Sequence, residues 1–202
     1  MRAELVERDG ADLLVWRTGP ALVASTATVG GGVGVRHWVL NVQVPHDYGR
    51  TDLAAHAAEL AGALALRGEG VALFTAAAVR RVREVEDGDV LVQATVGVTR
   101  PTWAAAPDES AEPHPGTVNI VVFAPVRFDE GALLNVLTTA TEAKSQALFE
   151  RRVDGTGTAS DALCVVSPLT GPREPFAGPR SHWGARVARA VHGAVLAGLA
   201  DS

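Results

Sequence analysis

The chain has 202 residues, a length typical of one domain with a substantial hydrophobic core. Its formal net charge of −5 and its lack of any dense run of Lys or Arg exclude a surface built for nucleic acid. No stretch is apolar enough to span a membrane, the N-terminus does not resemble a signal peptide, and the only cysteine, Cys164, allows no disulfide within the chain. We therefore expect a cytoplasmic protein of one domain, residues 1–202, with no nucleic-acid or membrane partner.

The first half of the chain has the alternation typical of strands, interrupted by one helix. Strands at 5–8 and 13–17 flank D-G-A-D, which predicts a β-hairpin. A helix is predicted from Thr51 to Leu66. The other strands predicted in this half span 21–28, 38–44, 71–75, 79–85 and 90–98.

The second half begins with a proline-rich segment, 101–116, which predicts a long loop. A strand near 116–124 follows, then a helix that starts at the acidic pair Asp129 and Glu130. A strand from 162 to 166 and a last helix from 181 to 199 complete the chain. The fold class is therefore predicted as α+β or α/β, a single layered domain with a mixed, largely antiparallel β-sheet and about three main helices.

Lys144, the only lysine, falls near the centre of an apolar helical stripe. A lysine there must reach water, pair with a buried acid or lose its proton, because burying an isolated ammonium is very costly. Asp161, just ahead of an apolar strand, is a candidate partner, whereas Glu142 points roughly away from Lys144 on the same helix. A structural clamp and a functional site are both compatible with this pattern. The stripe itself consists of Leu133, Leu137, Ala140, Ala147 and Leu148.

A Gly/Thr turn connects this helix to the strand after Asp161. The hydroxyls of Thr156, Thr158 and Ser160 are candidates to gather near Lys144. Cys164, inside the apolar strand, is interpreted as a small buried hydrophobe in preference to a nucleophile.

In N-V-Q-V, Asn41 and Gln43 share one face of a strand. Two amides on one face suit the recognition of amide groups, or else belong to an edge strand with a solvated polar face. Tyr48 follows the strand end, a usual place for site residues in sheet proteins. The glycine group that includes Gly31 and Gly32 permits either a sharp turn or a close approach to a ligand.

Several segments together resemble the adenosylcobinamide amidohydrolases, the CbiZ family of corrinoid salvage. The main segment is T-A-T-E-A-K-S-Q-A-L, followed by G-T-G-T-A-S-D-A, and the similarity spans nearly the whole chain. One departure follows Thr99, where the family often has Asn and a Gly-containing segment but this chain has Arg100, Pro101 and Thr102. The further segments are Gly30 to Gly32, N-V-Q-V with Tyr48, L-F-T-A-A, A-T-V-G-V-T, G-T-V-N-I and F-A-G-P-R-S-H-W-G.

The resemblance implies an enzyme of cobalamin biosynthesis, a hydrolase that cleaves the aminopropanol amide of adenosylcobinamide to give adenosylcobyric acid. Such a reaction needs an activated water or nucleophile, donors for the oxyanion and a proton for the leaving amine. We expect Glu142 or Asp161 as general base, with Asp161 preferred, and Lys144 as charged donor. Thr156, Thr158 and the N–H groups of the turn are expected to form the oxyanion site, with either threonine as an alternative nucleophile.

The resemblance also implies substrate-binding residues. Thr95 and Asn119 lie in its motifs, and Trp103, in the proline-rich loop, is suited either to stack on a flat macrocycle or to anchor the loop. No resident cofactor or metal is expected, and cobalt enters only as part of the corrinoid substrate. A homo-oligomer is compatible with the sequence. The alternatives are a corrinoid-binding protein without catalysis and a hydrolase of a different amide. The full set of expected substrate-binding residues is Asn41, Gln43, Tyr48, Gly31, Gly32, Thr95, Asn119 and Trp103.

Overall fold

A computed structural model describes residues 1–8, 10–107 and 116–200. Within them the chain forms three α-helices, twelve strands and a 3-10 turn at Val79–Arg81. The helices are α1 (Leu53–Ala63), α2 (Glu130–Glu150) and α3 (His182–Leu199). The strands are β1 (Glu4–Arg8), β2 (Ala11–Trp16), β3 (Ala21–Ser25), β4 (Gly32–Arg36), β5 (Trp38–Gln43), β6 (Gly70–Thr75), β7 (Arg83–Asp87), β8 (Val90–Gly97), β9 (Thr117–Phe123), β10 (Arg127–Phe128), β11 (Ala162–Ser167) and β12 (Arg173–Glu174).

The strands form two main sheets. One sheet has four strands in the order β1-β2-β5-β6, and the other has six in the order β4-β3-β11-β9-β8-β7. The pairings β5–β6 and β9–β11 are parallel, and the other neighbouring pairs in these sheets are antiparallel. The short strands β10 and β12 pair with each other in parallel.

The two sheets stack face to face, and the helices cover their outer faces. Side chains of β2, β5 and β6 meet those of β3, β8, β9 and β11 in an apolar layer between the sheets. A second layer packs α2 and α3 on the six-stranded sheet, and a third packs α1 on the four-stranded sheet. Alternation along each strand creates these layers, because Val39 faces the second sheet while Leu40 faces α1. The result is a four-layer α/β/β/α sandwich.

Local sequence accounts for the helix starts that matter for the site. Asp129 precedes α2 with extended backbone, and Glu130 places a negative charge in the first turn, where the helix dipole favours it. Ser181 caps α3, and its Oγ accepts a hydrogen bond of 3.0 Å from the Gly184 N–H.

Among the described residues, no helix combines the length and the apolar character that a membrane crossing requires.

The prediction of an α+β fold with three main helices and a largely antiparallel arrangement is confirmed. The predicted strand at 79–85 is wrong in its first half, where the chain forms the 3-10 turn before β7. Strand β4 was not predicted, because glycines interrupt its apolar pattern. The division of the strands into two stacked sheets was also not predicted. The proline-rich loop is described only up to residue 107, and the rest of that prediction lies outside the described residues.

Candidate active site

Lys144 and Asp161 form a buried ion pair. Lys144 projects from the apolar face of α2, between the fully buried residues Ala140 and Leu148. Its Nζ lies 2.5 Å from Oδ2 of Asp161, and the two side chains are only 6% and 8% exposed. This contact resolves the cost of burying the ammonium, because the opposite charge lies within hydrogen-bond distance. The expected pairing of Lys144 with Asp161 is confirmed.

The carboxylate of Asp161 accepts three further hydrogen bonds. Thr158 donates its hydroxyl to Oδ1 across 2.5 Å and its backbone N–H to Oδ2 across 3.1 Å. The backbone N–H of Val118, at the start of β9, donates to Oδ1 across 2.8 Å. Each carboxylate oxygen therefore has two donors. Any water that binds Asp161 must displace one of them.

The Gly/Thr turn allows Lys144 and Asp161 to meet because the turn residue nearest to both side chains is a glycine, Gly157. A Cβ on Gly157 would overlap both Oδ2 of Asp161 and Nζ of Lys144. The carbonyl of Thr156 accepts a hydrogen bond of 3.1 Å from the Ser145 hydroxyl, which fixes the turn to α2. Only a residue without a side chain allows the ion pair to close at this position.

The segment after β8 crosses the turn and pairs with it. Thr102 and Gly157 form an isolated antiparallel bridge, and the Thr102 N–H donates to the Gly157 carbonyl across 2.8 Å. The Thr156 hydroxyl accepts from the Ala104 N–H across 3.0 Å. The indole N–H of Trp103 donates to Asp154 across 3.1 Å. Of Arg100, Pro101 and Thr102, Thr102 thus pairs with the turn that precedes Asp161.

A cavity of about 880 Å³ opens at this end of the sandwich. Gly116 lies in its wall, and the space that a Cβ on Gly116 would occupy is bounded by the carbonyl of Gly97, the hydroxyl of Thr99 and the methyl of Thr158. The half-buried Thr158 side chain therefore lies next to a residue of the cavity wall but does not itself line the cavity. The lining consists of Gln43, His46, Ala76, Ala77, Ala78, Arg81, Val96, Gly97, Val98, Thr99, Gly116, Arg151, Val153, Gly198 and Leu199.

A model of the family described as adenosylcobinamide amidohydrolase (CbiZ) matches residues 1–202. The chain is 29% identical over 184 residues to the adenosylcobinamide amidohydrolase of Methanosarcina mazei, across 87% of this chain and 88% of the relative. It is 32% identical over 161 residues to the adenosylcobinamide amidohydrolase of Halobacterium salinarum, across 76% and 66% of the two chains. The chain belongs to the adenosylcobinamide amidohydrolase family. The resemblance found in the sequence motifs is thereby confirmed.

In this member of the adenosylcobinamide amidohydrolase family, three of the expected substrate-binding residues form one buried cluster between the sheets. Asn41 donates to the Thr95 hydroxyl across 2.9 Å and accepts from the amide of Asn119 across 2.8 Å. Each of the three is 1% exposed, and Oδ1 of Asn119 has no hydrogen-bond partner among the described residues. Since β5 lies inside its sheet, the alternative of a solvated edge strand is wrong.

Gln43 continues the same face of β5 and reaches the cavity. Its Oε1 accepts a hydrogen bond of 3.0 Å from the Val79 N–H, and the residue lies in the cavity lining. Gly97, two residues beyond Thr95 on β8, lines the cavity in the same way. The buried amide cluster therefore lies directly beneath the cavity floor.

The other expected binding residues lie elsewhere. Tyr48 stacks on His56 and Phe74 and does not line the cavity. A Cβ on Gly31 would overlap the carbonyl of Ala27, so a close contact within the chain accounts for this glycine, and Gly32 begins β4 with a φ of +84°. Trp103 remains 52% exposed, donates to Asp154 and does not line the cavity.

The structure bears on two of the expected catalytic roles. Glu142 is exposed on α2, whereas Lys144 on the same helix is buried, which agrees with the expectation that Glu142 points roughly away from Lys144. The N–H groups of Gly155, Thr156 and Thr158 in the turn are already bonded within the protein. This pairing leaves them unable to form the expected oxyanion site without rearrangement.

The cavity also contains residues that sequence reasoning missed. Thr99 and Gly116 belong to the motifs A-T-V-G-V-T and G-T-V-N-I, so the resemblance contained a signal for them. Arg81 and Arg151 had none, because a single exposed arginine at the end of an element has no pattern that distinguishes it from any other surface charge.

Proposed function

We propose that this protein hydrolyses the amide that joins the aminopropanol arm to the corrin ring of adenosylcobinamide, releasing aminopropanol and leaving adenosylcobyric acid. The observation that carries this proposal is the match of the family model to residues 1–202. The Methanosarcina mazei relative, which has the same name, aligns with 87% of the chain. The protein is accordingly a hydrolase that acts on an amide carbon–nitrogen bond.

The cavity has room for the reacting arm of this substrate and for part of the ring. Its volume of about 880 Å³ is near the upper end of the range for small-molecule sites. Gln43 offers an amide to the ring-borne amides of a corrinoid, and the small residues Ala76, Ala77 and Gly97 leave room for the arm. The exposed indole of Trp103 is suited to stack on the macrocycle.

We assign the nucleophile to Thr158 and the proton acceptor to Asp161. The hydroxyl of Thr158 already donates to Oδ1 of Asp161 across 2.5 Å, which is the arrangement of a nucleophile and its base. Lys144 holds the other carboxylate oxygen and fixes the plane of the carboxylate. A water activated directly by Asp161 is the alternative, but it must first displace one of the four donors.

The reaction then proceeds in two steps, and in each step every bond broken and every proton transferred is accounted for. As Oγ1 of Thr158 bonds to the carbonyl carbon, its proton moves to Asp161, and the tetrahedral adduct expels the amine, which takes that proton. The carbon–nitrogen bond is broken and an ester to Thr158 remains. Water next attacks this ester, Asp161 accepts its proton, and the proton returns to Oγ1 as the acid leaves. No resident metal or cofactor is required by these steps, and cobalt belongs to the substrate.

The test is to incubate the purified protein with adenosylcobinamide in H₂¹⁸O and to follow corrinoids by chromatography and mass spectrometry. We expect a product that has lost the aminopropanol arm and contains one ¹⁸O in the new carboxylate. Added hydroxylamine should divert part of the product to the hydroxamate, because it competes with water for the ester on Thr158. An unchanged corrinoid mass would reject the proposed function.

The nucleophile is tested separately from the function. Product formation without any hydroxamate, at hydroxylamine concentrations that trap a threonine ester in a model compound, would reject Thr158 as nucleophile and favour water. A matched pair of variants, Thr158→Val and Thr156→Val, compares two hydroxyls of the same turn. Only the first of these hydroxyls contacts Asp161.

A further inference from the structure

His46 is the one histidine, among the residues that the structure describes, that lines the cavity. The residue is exposed, and its side chain makes no hydrogen bond, ion pair or ring contact with another described residue. In contrast, the rings of His56 and His192 are held by a tyrosine hydroxyl and a glutamate. A neutral imidazole with a free ring nitrogen is the commonest protein ligand for a metal. His46 is thus available to a metal-containing ligand that enters the cavity.

The local fold fixes the backbone of His46 and leaves its side chain free. His46 is a central residue of a turn that the Tyr48 N–H closes on the Pro45 carbonyl across 3.1 Å. Tyr48 in turn stacks on Phe74, and its hydroxyl lies 2.7 Å from Nδ1 of His56. The residue after the turn is therefore anchored to β6 and α1. His46 is held at the cavity by a turn that does not need the imidazole for its own stability.

A single imidazole suits a metal that arrives with its other ligands. Within the part of the chain that the structure describes, no group of three or more His, Cys, Asp or Glu side chains could hold a metal ion. His46 thus has no partner ligands there with which to bind a free ion. The cobalt of adenosylcobinamide already has four corrin nitrogens and the adenosyl carbon. One axial position remains for a further ligand.

We propose that His46 coordinates the cobalt of the corrinoid substrate at this axial position. The inference rests on the proposed function. A ring nitrogen of His46 donates its lone pair to cobalt and displaces a bound water, so one coordinate bond forms, one breaks and the oxidation state of cobalt does not change. The adenosyl group occupies the upper face of the ring, so His46 binds the lower face, toward which the aminopropanol arm extends.

The cavity walls place this metal ligand and the reacting groups on different sheets. His46 follows Gln43, the last residue of β5 in the four-stranded sheet, and both line the cavity. Gly116 precedes β9 in the six-stranded sheet, and a Cβ there would lie 3.5 Å from the methyl of Thr158. A ligand that fills the cavity contacts both walls. Coordination by His46 fixes the centre of the ring at one wall and leaves a peripheral arm to reach the other.

Electron paramagnetic resonance of Co(II) cobinamide identifies the axial ligand directly. The corrinoid is mixed with excess protein in a buffer free of imidazole. The unpaired electron of Co(II) lies along the axial direction, so an axial ¹⁴N splits each cobalt line into a triplet, whereas water gives no such splitting. We expect a triplet with the wild-type protein and a doublet when its histidines are labelled with ¹⁵N. A triplet that survives labelling would overturn the proposal, because the nitrogen would not belong to a histidine.

Variants then identify which histidine is the ligand. His46→Gln should lose the triplet. His182→Gln is the matched control, because His182 is also exposed but begins α3 and does not line the cavity, and this variant should retain the triplet. His114→Gln, at a position outside the described residues, should retain it as well. A triplet that persists in His46→Gln would overturn the assignment.

The wild-type protein separates this proposal from the proposed function. Hydrolysis of adenosylcobinamide by a protein whose bound Co(II) cobinamide shows no nitrogen splitting would overturn coordination by His46 and leave the proposed function intact. A wild-type protein that neither hydrolyses adenosylcobinamide nor binds either corrinoid would reject the proposed function, and the cobalt ligand with it.

Discussion

The hydroxyl of Thr158 lies 2.5 Å from Oδ1 of Asp161, while the ammonium of Lys144 occupies Oδ2. The two carboxylate oxygens of Asp161 therefore have different partners. Oδ2 forms the ion pair with Lys144, and Oδ1 accepts a hydrogen bond from the Thr158 hydroxyl that we propose as nucleophile. The cluster therefore contains a contact between a hydroxyl and a carboxylate as well as the ion pair, and each of its members can be tested by itself.

The first prediction concerns the Thr158 hydroxyl. Thr158→Val keeps the shape of the side chain but removes the nucleophile, so kcat/KM should fall by about a thousandfold or more, as is usual when a nucleophile is lost. Thr158→Ser should retain most of the activity, and Thr156→Val should lose less than about tenfold. The measurement is steady-state hydrolysis of adenosylcobinamide. Full activity of Thr158→Val would remove this hydroxyl from the mechanism.

The second prediction concerns Lys144. Lys144→Met leaves the buried Asp161 carboxylate without its counter-charge, so the free energy of unfolding should fall by about 3–5 kcal/mol. Turnover should also be lost. In the double variant Lys144→Met with Asp161→Asn, the neutral amide removes the uncompensated charge, and stability should partly recover while activity does not.

Urea denaturation and a turnover assay on the same samples separate these effects. Recovery of activity together with stability in the double variant would show that the pair is only a structural clamp. That outcome would also contradict the role proposed for Asp161, because an amide cannot accept the Thr158 proton.

The third prediction concerns the turn. In Gly157→Ala, the added methyl group would overlap both partners of the ion pair, so they must separate. We expect a loss of about 1–3 kcal/mol in the free energy of unfolding, as for other overpacked sites, and a large loss of turnover. Gly62→Ala is the matched control, because a Cβ at this exposed position of α1 contacts nothing within 4 Å. It should leave activity intact and raise stability by about 0.5–1 kcal/mol.

The fourth prediction concerns Cys164. The side chain is fully buried in β11, and burial raises the pKa of its thiol to about 12. Since only the thiolate reacts, the native protein should not be labelled by iodoacetamide at pH 7 to 8, and its turnover should be unaffected. The same thiol should be labelled rapidly in 6 M guanidinium chloride, which intact-mass spectrometry can measure. Rapid labelling of the native protein with loss of activity would reopen the interpretation of Cys164 as a nucleophile.

The fifth prediction concerns His56 on α1 and its effect on how the free energy of unfolding depends on pH. Burial, followed by the charge of Arg50, lowers the pKa of His56 below its usual value, and its Nδ1 lies 2.7 Å from the Tyr48 hydroxyl. The unfolded chain therefore binds the proton more strongly than the native protein does. The contribution of His56 to stability is complete above about pH 6.5 and is lost as the pH falls below that value.

The variant His56→Gln cannot titrate in this range. Between about pH 5 and pH 7, its free energy of unfolding should change less with pH than that of the wild-type protein. Urea denaturation at a series of pH values measures the difference. Identical slopes for the two proteins would contradict a lowered pKa of His56.

Much of the architecture follows from local patterns. The start of α2 and the bounds of α3 agree with the predicted helices to within a few residues, because an acidic first turn, a serine cap and apolar stripes all act within one segment. The hairpin of β1 and β2 follows in the same way from its turn sequence. The stacking of two sheets could not be predicted, since alternation shows which face of a strand is apolar but not which sheet covers it.

In the candidate site, too, some features follow from local sequence and others from tertiary packing. The sequence alone determined that Lys144 lies on the apolar stripe of its helix and must reach water, pair with a buried acid or lose its proton, because helical periodicity and the cost of an unpaired buried charge are both local properties. Only the tertiary structure decided that Thr158 binds the remaining oxygen of Asp161, that Asn41, Thr95 and Asn119 bond to one another, and that Arg81 and Arg151 share a cavity. These relationships join segments far apart in the chain, and their distances depend on how the two sheets and the helices pack.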